Sequence, residues 1–471
     1  MGFGKMHEAF RRYVVLLILF LISLIFYCFY IFREPLVYGI DGPYYLVQIL
    51  YIEKYGTMYY GDPPLTFYIL YAFYKLLGDP TLAVKIGIML FTSLTAIPLY
   101  LYFYNTTGRA EVGFFASIAY LFSPHVIRLM GDFVKNTFGL FFLTCYIYFF
   151  TKAYGSRSNR LYVVLALFFM VLTFTSHILA FGILMLYTIL YPTTLLVLKI
   201  GRNRRTIYVA MLFIFSMIIL SVVSYILSPF YFSDLNRIIS YIRGIMHLHE
   251  YSTRPTVGSS PISLFAWPIL TYLLTPFMSI ASLTVLMIYW FLRGSIKPLA
   301  LSSYIILLIL LNPLSPSGVF FRFLLASILP LSYAIGYLVS EYAAKYRAII
   351  LALLIISLTI LLATQTASTW GPVITSKEYD ELLEAIKHIK EENAVIKTVG
   401  MIRYWVEYVV GDPNKVLKGP MPRNLKEPIY IIIFKERKPL PKLRPHEIIV
   451  YDGRFVQLRK IMPPRCAARL K

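Results

Sequence analysis

The stretch that decides the architecture lies between the first two long apolar runs of the chain and carries two aspartates. It begins Tyr38-Gly39-Ile40-Asp41-Gly42-Pro43-Tyr44-Tyr45 and, after an aromatic connection, continues Gly61-Asp62-Pro63-Pro64-Leu65-Thr66-Phe67-Tyr68. Each aspartate is soon followed by proline and then by a tyrosine-rich amphipathic run. A charge held at a membrane surface costs hydration energy, so an ionisable residue there indicates function. The hypothesis of an enzyme rests mainly on Asp41 and Asp62.

The composition predicts a membrane protein. Of the 471 residues, 58% are hydrophobic and 14% are charged, whereas about a quarter of the residues in a soluble domain are charged. The net charge of +22 lies mostly in short loops and in the C-terminal tail, where basic residues set membrane orientation and meet anionic lipids. We therefore predict a mostly α-helical, polytopic membrane protein that does not bind nucleic acid.

About eleven apolar runs are predicted as membrane spans, many of which approach or exceed the roughly 18–20 residues that a span needs. They cover residues 13–32, 82–104, 112–127, 133–152, 161–175, 178–199, 206–227, 263–292, 299–311, 319–339 and 347–364. Basic loops fall on one side of this arrangement, which places the N-terminus in the cytoplasm and the C-terminus outside a plasma membrane. Residues 33–80 then form an outer loop, in which two helices, one after Pro43 and one over residues 64–77, are predicted to lie in the interface.

The last hundred residues change character. Residues 367–471 are predicted to form a small extracytoplasmic α/β domain, separate from the transmembrane domain of residues 1–366. A helix is expected from Ser376, as its cap, through Glu392. Strands are expected at residues 394–399, 428–434, 447–451 and 455–458.

Several polar residues face outside in this topology. Besides the two aspartates they are His125, Arg128, Asp132 and Lys135 in an outer loop predicted at residues 123–135, where the third span ends and the fourth begins, His177 at a helix turn, and Arg322 just inside the tenth span. A carboxylate can deprotonate an acceptor hydroxyl as a general base. A departing lipid phosphate needs positive charge, which Arg supplies as a fork and Lys as a point charge. The combination favours sugar transfer from a polyprenyl-phosphate donor.

Each candidate also has a structural explanation that stays open. Asp41 and Asp62 each stand where a helix begins and could cap it. Arg128 and Lys135 could snorkel at the interface, and Asp132 could form a local ion pair. The remaining histidines have alternatives as well: His177 could be a satisfied side chain at a helix turn, and the sequence His247-Leu248-His249-Glu250 is compatible with a metal site or with an ordinary aqueous loop.

The motifs resemble those of the GT-C glycosyltransferases that use polyprenyl-phosphate sugars, among them protein O-mannosyltransferases, aminoarabinose transferases of lipid A and related archaeal enzymes. Ile40-Asp41-Gly42-Pro43 looks like the acidic motif of their first outer loop, and Gly61-Asp62-Pro63-Pro64-Leu65 like the element that opens a juxtamembrane helix. Ser123-Pro124-His125 with Asp132, and Thr175-Ser176-His177, are similar to two further motifs. The motifs that carry the resemblance lie in residues 1–200, and the rest of the chain resembles the family only in the order of its spans and loops.

The resemblance implies a GT-C fold and a hexosyltransferase, such as a mannosyltransferase, with an inverting mechanism. Asp41 would be the base on the acceptor side, and Asp62 a ligand of substrate or of a divalent metal, Mg²⁺ or Mn²⁺. The acceptor would be a protein, a lipid-linked glycan or a surface polymer. Two departures stand out: a single Asp followed by Gly in the first motif, and Asp62 in place of His or Lys before Pro-Pro. The Trp-Trp-Asp element of oligosaccharyltransferases is absent, which disfavours transfer of a whole glycan to asparagine.

The competing hypothesis is a transporter or a lipid or glycan flippase. Such proteins often place broken helices and polar residues near the bilayer midplane, in paired halves. Here the polar residues cluster at the outer ends of the spans and no repeat is visible, which favours the enzyme. A third hypothesis is an inactive scaffold whose outer domain binds a partner.

Overall fold

Helices account for most of the chain, and one small sheet lies near its C-terminus. The structure is a computed structural model that describes residues 3–155, 160–200, 204–227, 280–281, 283–312, 317–342, 357, 364, 371–398, 402–418, 427–436, 443–444 and 446–461. The predicted class, a mostly helical membrane protein with a small sheet, is confirmed.

The helices of the first half follow one another with short connections. They are α1 Phe3–Ile31, α2 Gly42–Tyr55, α3 Leu65–Leu77, α4 Pro80–Leu94, α5 Ala96–Thr107, α6 Ala110–Leu121, α7 Pro124–Asp132, α8 Val134–Ala153, α9 Arg160–Ser176, α10 Ile178–Val197 and α11 Arg204–Ile226. Further along lie α12 Leu283–Leu292, α13 Pro298–Leu310, α14 Ser317–Ala326, α15 Ile328–Tyr342, α16 Ser376–Lys387 and α17 Arg403–Val410.

Several helical stretches can cross a membrane. Among the described residues, five are long and apolar enough, or six if the bent pair α6 and α7 is one span. The five are Tyr13–Ile31, Pro80–Thr107, Ile178–Val197, Arg204–Ile226 and Phe320–Glu341. The chain is therefore a multi-pass membrane protein. The count of about eleven spans stays a prediction, because the run at 347–364 lies almost wholly outside the described residues.

Three predicted spans contain a break in the helix. The run at 82–104 divides at Thr95 and the run at 319–339 divides at Ser327. The third break corrects the prediction that residues 123–135 form a loop, because α7 fills most of that stretch at 48° to α6. Ser123 starts this helix by accepting the His125 N–H through its hydroxyl, and Pro124 occupies the first helical position, where its missing N–H costs nothing.

The structure divides into two compact units, of which the first comprises Met1–Tyr30, Gly61–Thr66 and Ile86–Thr369. In this unit α8 packs against α9 and α10, and α6 packs against α5 and α15. The outer surface of α1 is apolar, with Ile25 68% and Phe29 73% exposed. Exposed apolar side chains on a helix that can cross a membrane are those that contact lipid.

The second unit comprises Ile31–Tyr60, Phe67–Lys85 and Trp370–Lys471, so most of the outer loop groups with the C-terminal residues. Helix α2 packs against α17, and the Gly39 N–H donates to the Gly371 carbonyl at 3.3 Å. The predicted strands are all present, in the order β1-β2-β4-β3 with only β1 and β2 parallel. They are β1 Val395–Thr398, β2 Ile429–Phe434, β3 Glu447–Asp452 and β4 Val456–Ile461.

The helix predicted from Ser376 through Glu392 is shorter, and its cap is a different residue. It ends at Lys387, and its N-cap is Thr375. The Thr375 hydroxyl accepts the Glu378 N–H at 3.2 Å, and the Glu378 carboxylate accepts the Thr375 N–H at 2.7 Å. This reciprocal capping box satisfies two backbone donors at once, which a cap at Ser376 would not do.

Lys85 is expected to stabilise the second unit through its ammonium group. The residue is 4% exposed, and its Nζ donates to the carbonyls of Glu34 and Pro35. Lys85→Met keeps the apolar stem and removes two hydrogen bonds donated by a charged group, so we expect the free energy of unfolding to fall by about 1–3 kcal/mol. Thermal unfolding of the full chain in detergent measures the loss.

The matched control is Lys75→Met in the same unit. The Lys75 side chain is 54% exposed and pairs with Glu53 at 2.9 Å, so its loss should cost under about 1 kcal/mol. An equal effect of the two substitutions would contradict the role given to Lys85.

Candidate functional site

The first unit joins Asp62 to the start of α8. The Lys135 Nζ lies 2.7 Å from the Asp62 Oδ1, and both side chains are largely buried. Four residues after Asp62, the Thr66 hydroxyl reaches the Ser176 carbonyl at 3.5 Å. The segment Gly61–Thr66 is thus fixed to the end of α8 where Lys135 lies and to the turn between α9 and α10. The helix-start explanation does not account for the Asp62–Lys135 ion pair.

His177 lies at the turn between α9 and α10, just outside the helix. Its Nδ1 accepts the Ala180 N–H at 3.3 Å and caps α10, so the satisfied-histidine alternative is observed. Burial, followed by the charges of Lys135 and Arg322, lowers the pKa of His177 well below its usual value. The imidazole is therefore neutral at pH 7, and with Nδ1 as acceptor its proton lies on Nε2.

Arg322 reaches the same region from α14. Its guanidinium lies 5.1 Å from the centre of the Phe133 ring, which separates α7 from α8, and its charge acts on His177. We call Asp62, Lys135, His177 and Arg322 the Asp62 cluster. It combines two fixed cations, a neutral N–H donor and a single carboxylate.

The candidates on α7 pair with each other. The Arg128 guanidinium lies 2.5 Å from the Asp132 carboxylate, one helical turn away, so the local ion pair is observed. His125 is fully buried and its Nδ1 lies 2.8 Å from the Ser123 hydroxyl. Binding of a lipid phosphate by His125, Arg128 and Asp132 stays a prediction.

Asp41 belongs to the second unit and occupies the N-cap position of α2. Its side chain makes no capping hydrogen bond, so the helix-cap explanation fails for this residue. Burial raises the pKa of Tyr404, and the Asp41 carboxylate raises it further despite the opposing charge of Arg403. The charge of Asp41 therefore acts on Tyr404, whose ring lies 5.2 Å from that of Tyr44.

Sequence reasoning missed a buried polar group in the second unit. Gln48 is fully buried; its side-chain oxygen accepts the N–H groups of Tyr59 and Tyr60 at 2.8 and 3.2 Å, and its amide donates to the Tyr60 carbonyl at 3.0 Å. The Tyr60 hydroxyl then donates to the Glu407 carboxylate at 2.6 Å. These contacts fix the chain immediately before Gly61.

Glu407 is an acid with 1% exposure. Burial raises its pKa, while the Tyr60 hydroxyl and the charges of Arg403 and Lys418 lower it. The Arg403 Nε lies 3.1 Å from the carboxylate. The sequence does offer a signal for this site, a single acid within the aromatic run Tyr404-Trp405-Val406-Glu407-Tyr408. An acid among aromatic residues is expected to be buried, and a buried carboxylate needs hydrogen-bond or cationic partners.

A metal at Asp62 finds little support in the surrounding side chains. Across the described ranges, no group of three His, Cys, Asp or Glu side chains is close enough to hold an ion, and the Asp62 carboxylate contacts Lys135. The His247, His249 and Glu250 candidates lie outside the described residues. The residues at Asp62 do not themselves form a metal-binding set, and dependence on Mg²⁺ or Mn²⁺ stays a prediction.

His177 should make stability sensitive to acid. Because its folded pKa is lowered, below about pH 6.5 the unfolded chain takes up a proton that the folded chain does not. The free energy of unfolding therefore does not depend on His177 above that pH. Below it, the free energy of unfolding falls by about 1.4 kcal/mol per pH unit until the pKa of His177 in the folded protein is reached. His177→Asn retains a capping acceptor and should remove this loss. Thermal unfolding at pH 7.5, 6.5 and 5.5 measures both proteins.

His446→Asn provides the matched control, because His446 is exposed in the second unit. This control should unfold with the same pH dependence as the wild type. Parallel pH dependence of wild type and His177→Asn would show that His177 titrates normally.

A family model described as dolichyl-phosphate-mannose-protein mannosyltransferase matches residues 61–228. The match includes Asp62, Lys135 and His177, while Asp41 and Arg322 lie outside it. None of the curated proteins matches the sequence.

Solved structures resemble the chain over most of its length. The oligosaccharyltransferase of Archaeoglobus fulgidus, in complex with zinc and sulfate, has a TM-score of 0.54 at 14% identity over 84% of this chain; the match spans 61% of that protein. ArnT from Cupriavidus metallidurans in the apo state has a TM-score of 0.55 at 12% identity, covering 97% of this chain and 98% of that one. ArnT bound to undecaprenyl phosphate has a TM-score of 0.53 at 12% identity, with the same coverage. The predicted resemblance to the GT-C glycosyltransferases is confirmed.

Proposed function

We propose that this chain, whose fold is that of the GT-C glycosyltransferases, is a membrane glycosyltransferase that moves a sugar from a polyprenyl-phosphate donor to an acceptor. The observation that carries the proposal is the Asp62 cluster, in which Lys135 pairs with Asp62 and the charges of Lys135 and Arg322 act on a neutral histidine. The family match supports the same chemistry. We further propose a hexosyl group such as mannose, and a protein, lipid-linked glycan or surface polymer as acceptor on the outer face.

The Asp62 cluster would bind the phosphate of the donor. Asp62 holds the Lys135 ammonium in place, Arg322 offers a planar fork, and the neutral His177 would donate its Nε2–H to a phosphate oxygen. Charge grows on this phosphate as the sugar departs, and cations fixed in advance stabilise that charge most when water is excluded. The cluster would therefore lower the barrier to departure of the lipid phosphate.

Asp41 would act as the general base. Its carboxylate would take the proton of the acceptor hydroxyl while the acceptor oxygen attacks the anomeric carbon. The new bond to the acceptor forms as the bond between that carbon and the phosphate oxygen breaks, so the configuration inverts in one displacement. The proton ends on Asp41, and the electron pair leaves with the polyprenyl phosphate.

The full chain, purified in detergent, would be incubated with radiolabelled polyprenyl-phosphate mannose, glucose and N-acetylglucosamine together with a native membrane extract. We expect label to leave one donor and appear in an acceptor, with one polyprenyl phosphate released per sugar transferred. A parallel series with a chelator tests the metal prediction. Loss of transfer with the chelator, restored by Mg²⁺ or Mn²⁺, would support it.

The proposal fails if the folded protein consumes none of these donors but moves a fluorescent polyprenyl-phosphate lipid across the membrane of proteoliposomes. That result would favour the flippase hypothesis, since flipping needs no sugar transfer.

A further inference from the structure

The first unit contains a second polar site that the proposed sugar transfer does not use. A cavity of about 620 Å³ opens between the helices, and its lining includes Asn105, Tyr148, Lys152, Tyr162, Tyr191 and Lys297. Its volume lies within the roughly 300–1,000 Å³ of small-molecule sites. The cavity is therefore large enough for a ligand with several polar groups.

The cavity lies at the opposite end of the helices from the Asp62 cluster. Helix α8 has 20 residues, which is about 30 Å and matches the hydrocarbon thickness of a bilayer. Lys135 lies in its first turn and Lys152 in its last. Helix α10 shows the same order, with His177 before its start and Tyr191 near its end. The two sites therefore belong to opposite faces of the membrane.

The lining selects for negative charge. The Lys152 ammonium lies 4.6 Å from the centre of the Tyr148 ring and 5.1 Å from that of Tyr162, so two aromatic rings hold it in the cavity wall. The Asn105 amide fixes the Tyr148 hydroxyl at 3.0 Å. Two lysines and no acidic residue occur among the lining residues in the described part of the chain. An anionic group would meet two cations and no opposing carboxylate.

The cavity lies among membrane helices whose outer surface is apolar. On α9, which supplies Tyr162 to the lining, Leu161 and Val164 are 53% and 59% exposed, as expected of side chains that contact lipid. The acyl chains of a lipid whose head group entered the cavity could therefore stay in the bilayer beside α9. Basic pockets between membrane helices are suited to anionic lipid head groups. We propose that the cavity binds the phosphate head group of an anionic phospholipid from the leaflet opposite the Asp62 cluster.

The test measures lipid retention by the full chain. Delipidated protein in detergent micelles would be titrated with radiolabelled phosphatidylglycerol, with phosphatidylcholine, and with free glycerol 3-phosphate. We expect phosphatidylglycerol to bind most tightly. Each lysine near an anionic lipid contributes about a five-fold increase in affinity. Lys152→Gln and Lys297→Gln should therefore each weaken phosphatidylglycerol binding about five-fold, and the double variant should weaken it about thirty-fold.

Lys199→Gln is the matched control, because this exposed lysine follows α10 at the same end of the unit and is not among the lining residues. It should bind phosphatidylglycerol as the wild type does. Lys297 is also exposed, so its substitution keeps the test valid if Lys152→Gln fails to fold. Equal retention of the two lipids, unchanged binding by Lys297→Gln, or displacement of phosphatidylglycerol by equimolar glycerol 3-phosphate would each overturn the lipid assignment.

Discussion

Asparagine in place of Asp41 is expected to lower the rate of sugar transfer by about 10²–10⁴-fold, the range of general-base catalysis. The amide has nearly the size of the carboxylate but cannot take the proton of an acceptor hydroxyl. Since the Asp41 side chain makes no capping hydrogen bond, α2 should begin at the same residue in the variant. Single-turnover transfer from a saturating labelled donor measures the chemical step.

The matched control for Asp41 is Asp79→Asn. Asp79 is in the same unit and does cap a helix, because its carboxylate accepts the Leu82 N–H at 2.9 Å; asparagine caps equally well. This control should transfer sugar at the wild-type rate. Donor binding should be the same in all three proteins, because a base on the acceptor side does not hold the donor. Wild-type transfer by a folded Asp41→Asn protein would exclude Asp41 as the base.

Removing the charge of Lys135 is expected to damage both stability and transfer. Lys135→Gln leaves the Asp62 carboxylate, whose side chain is 9% exposed, without its cation. Removing one partner of a buried ion pair costs about 3–5 kcal/mol of folding free energy. The same substitution removes a cation that the donor phosphate would contact, so transfer should fall as well. Thermal unfolding and the labelled-donor assay measure the two effects.

A second variant separates these effects. The double variant Asp62→Asn with Lys135→Gln removes both charges of the pair, so we expect it to recover most of the lost stability. Its transfer should stay low, because the phosphate still lacks its lysine, whereas Lys135→Arg should retain part of the activity. Recovery of transfer together with stability in the double variant would show that the pair is only structural.

The apolar runs were enough to predict most of the helices, and the short β-like runs of the last hundred residues were enough to predict the strands. The start of α7 was missed because span lengths were read from hydropathy, and α7 begins inside an apolar run. Its local signal is Ser123-Pro124, a capping residue followed by proline. The breaks at Thr95 and Ser327 also carry a local signal, because Pro98 and Pro330 each follow three residues later. A proline cannot donate to the carbonyl four residues before it and crowds that turn, which favours a break there.

The sequence was enough to predict which residues belong to the candidate site, but not which of them contact one another. Asp62 and Lys135 are 73 positions apart, and their pairing depends on which helices pack together. The capping role of His177 is local, yet its low pKa comes from burial and from Lys135 and Arg322, which are distant in sequence. Gln48 gave no signal, because a glutamine in an amphipathic helix is usually solvated.

The side chain of Gln48 has a consequence for engineering this protein. Surface loops normally accept inserted peptides because their backbone groups are hydrated. Residues 56–58, Gly56-Thr57-Met58, look like such a place, because they follow the end of α2 and are mostly exposed. The Gln48 side chain hydrogen-bonds the backbone of Tyr59 and Tyr60 as a neighbouring strand would, so the end of the loop is held against α2. An epitope tag placed there would pull Tyr60 away from Glu407, and labels for topology mapping belong elsewhere on the chain.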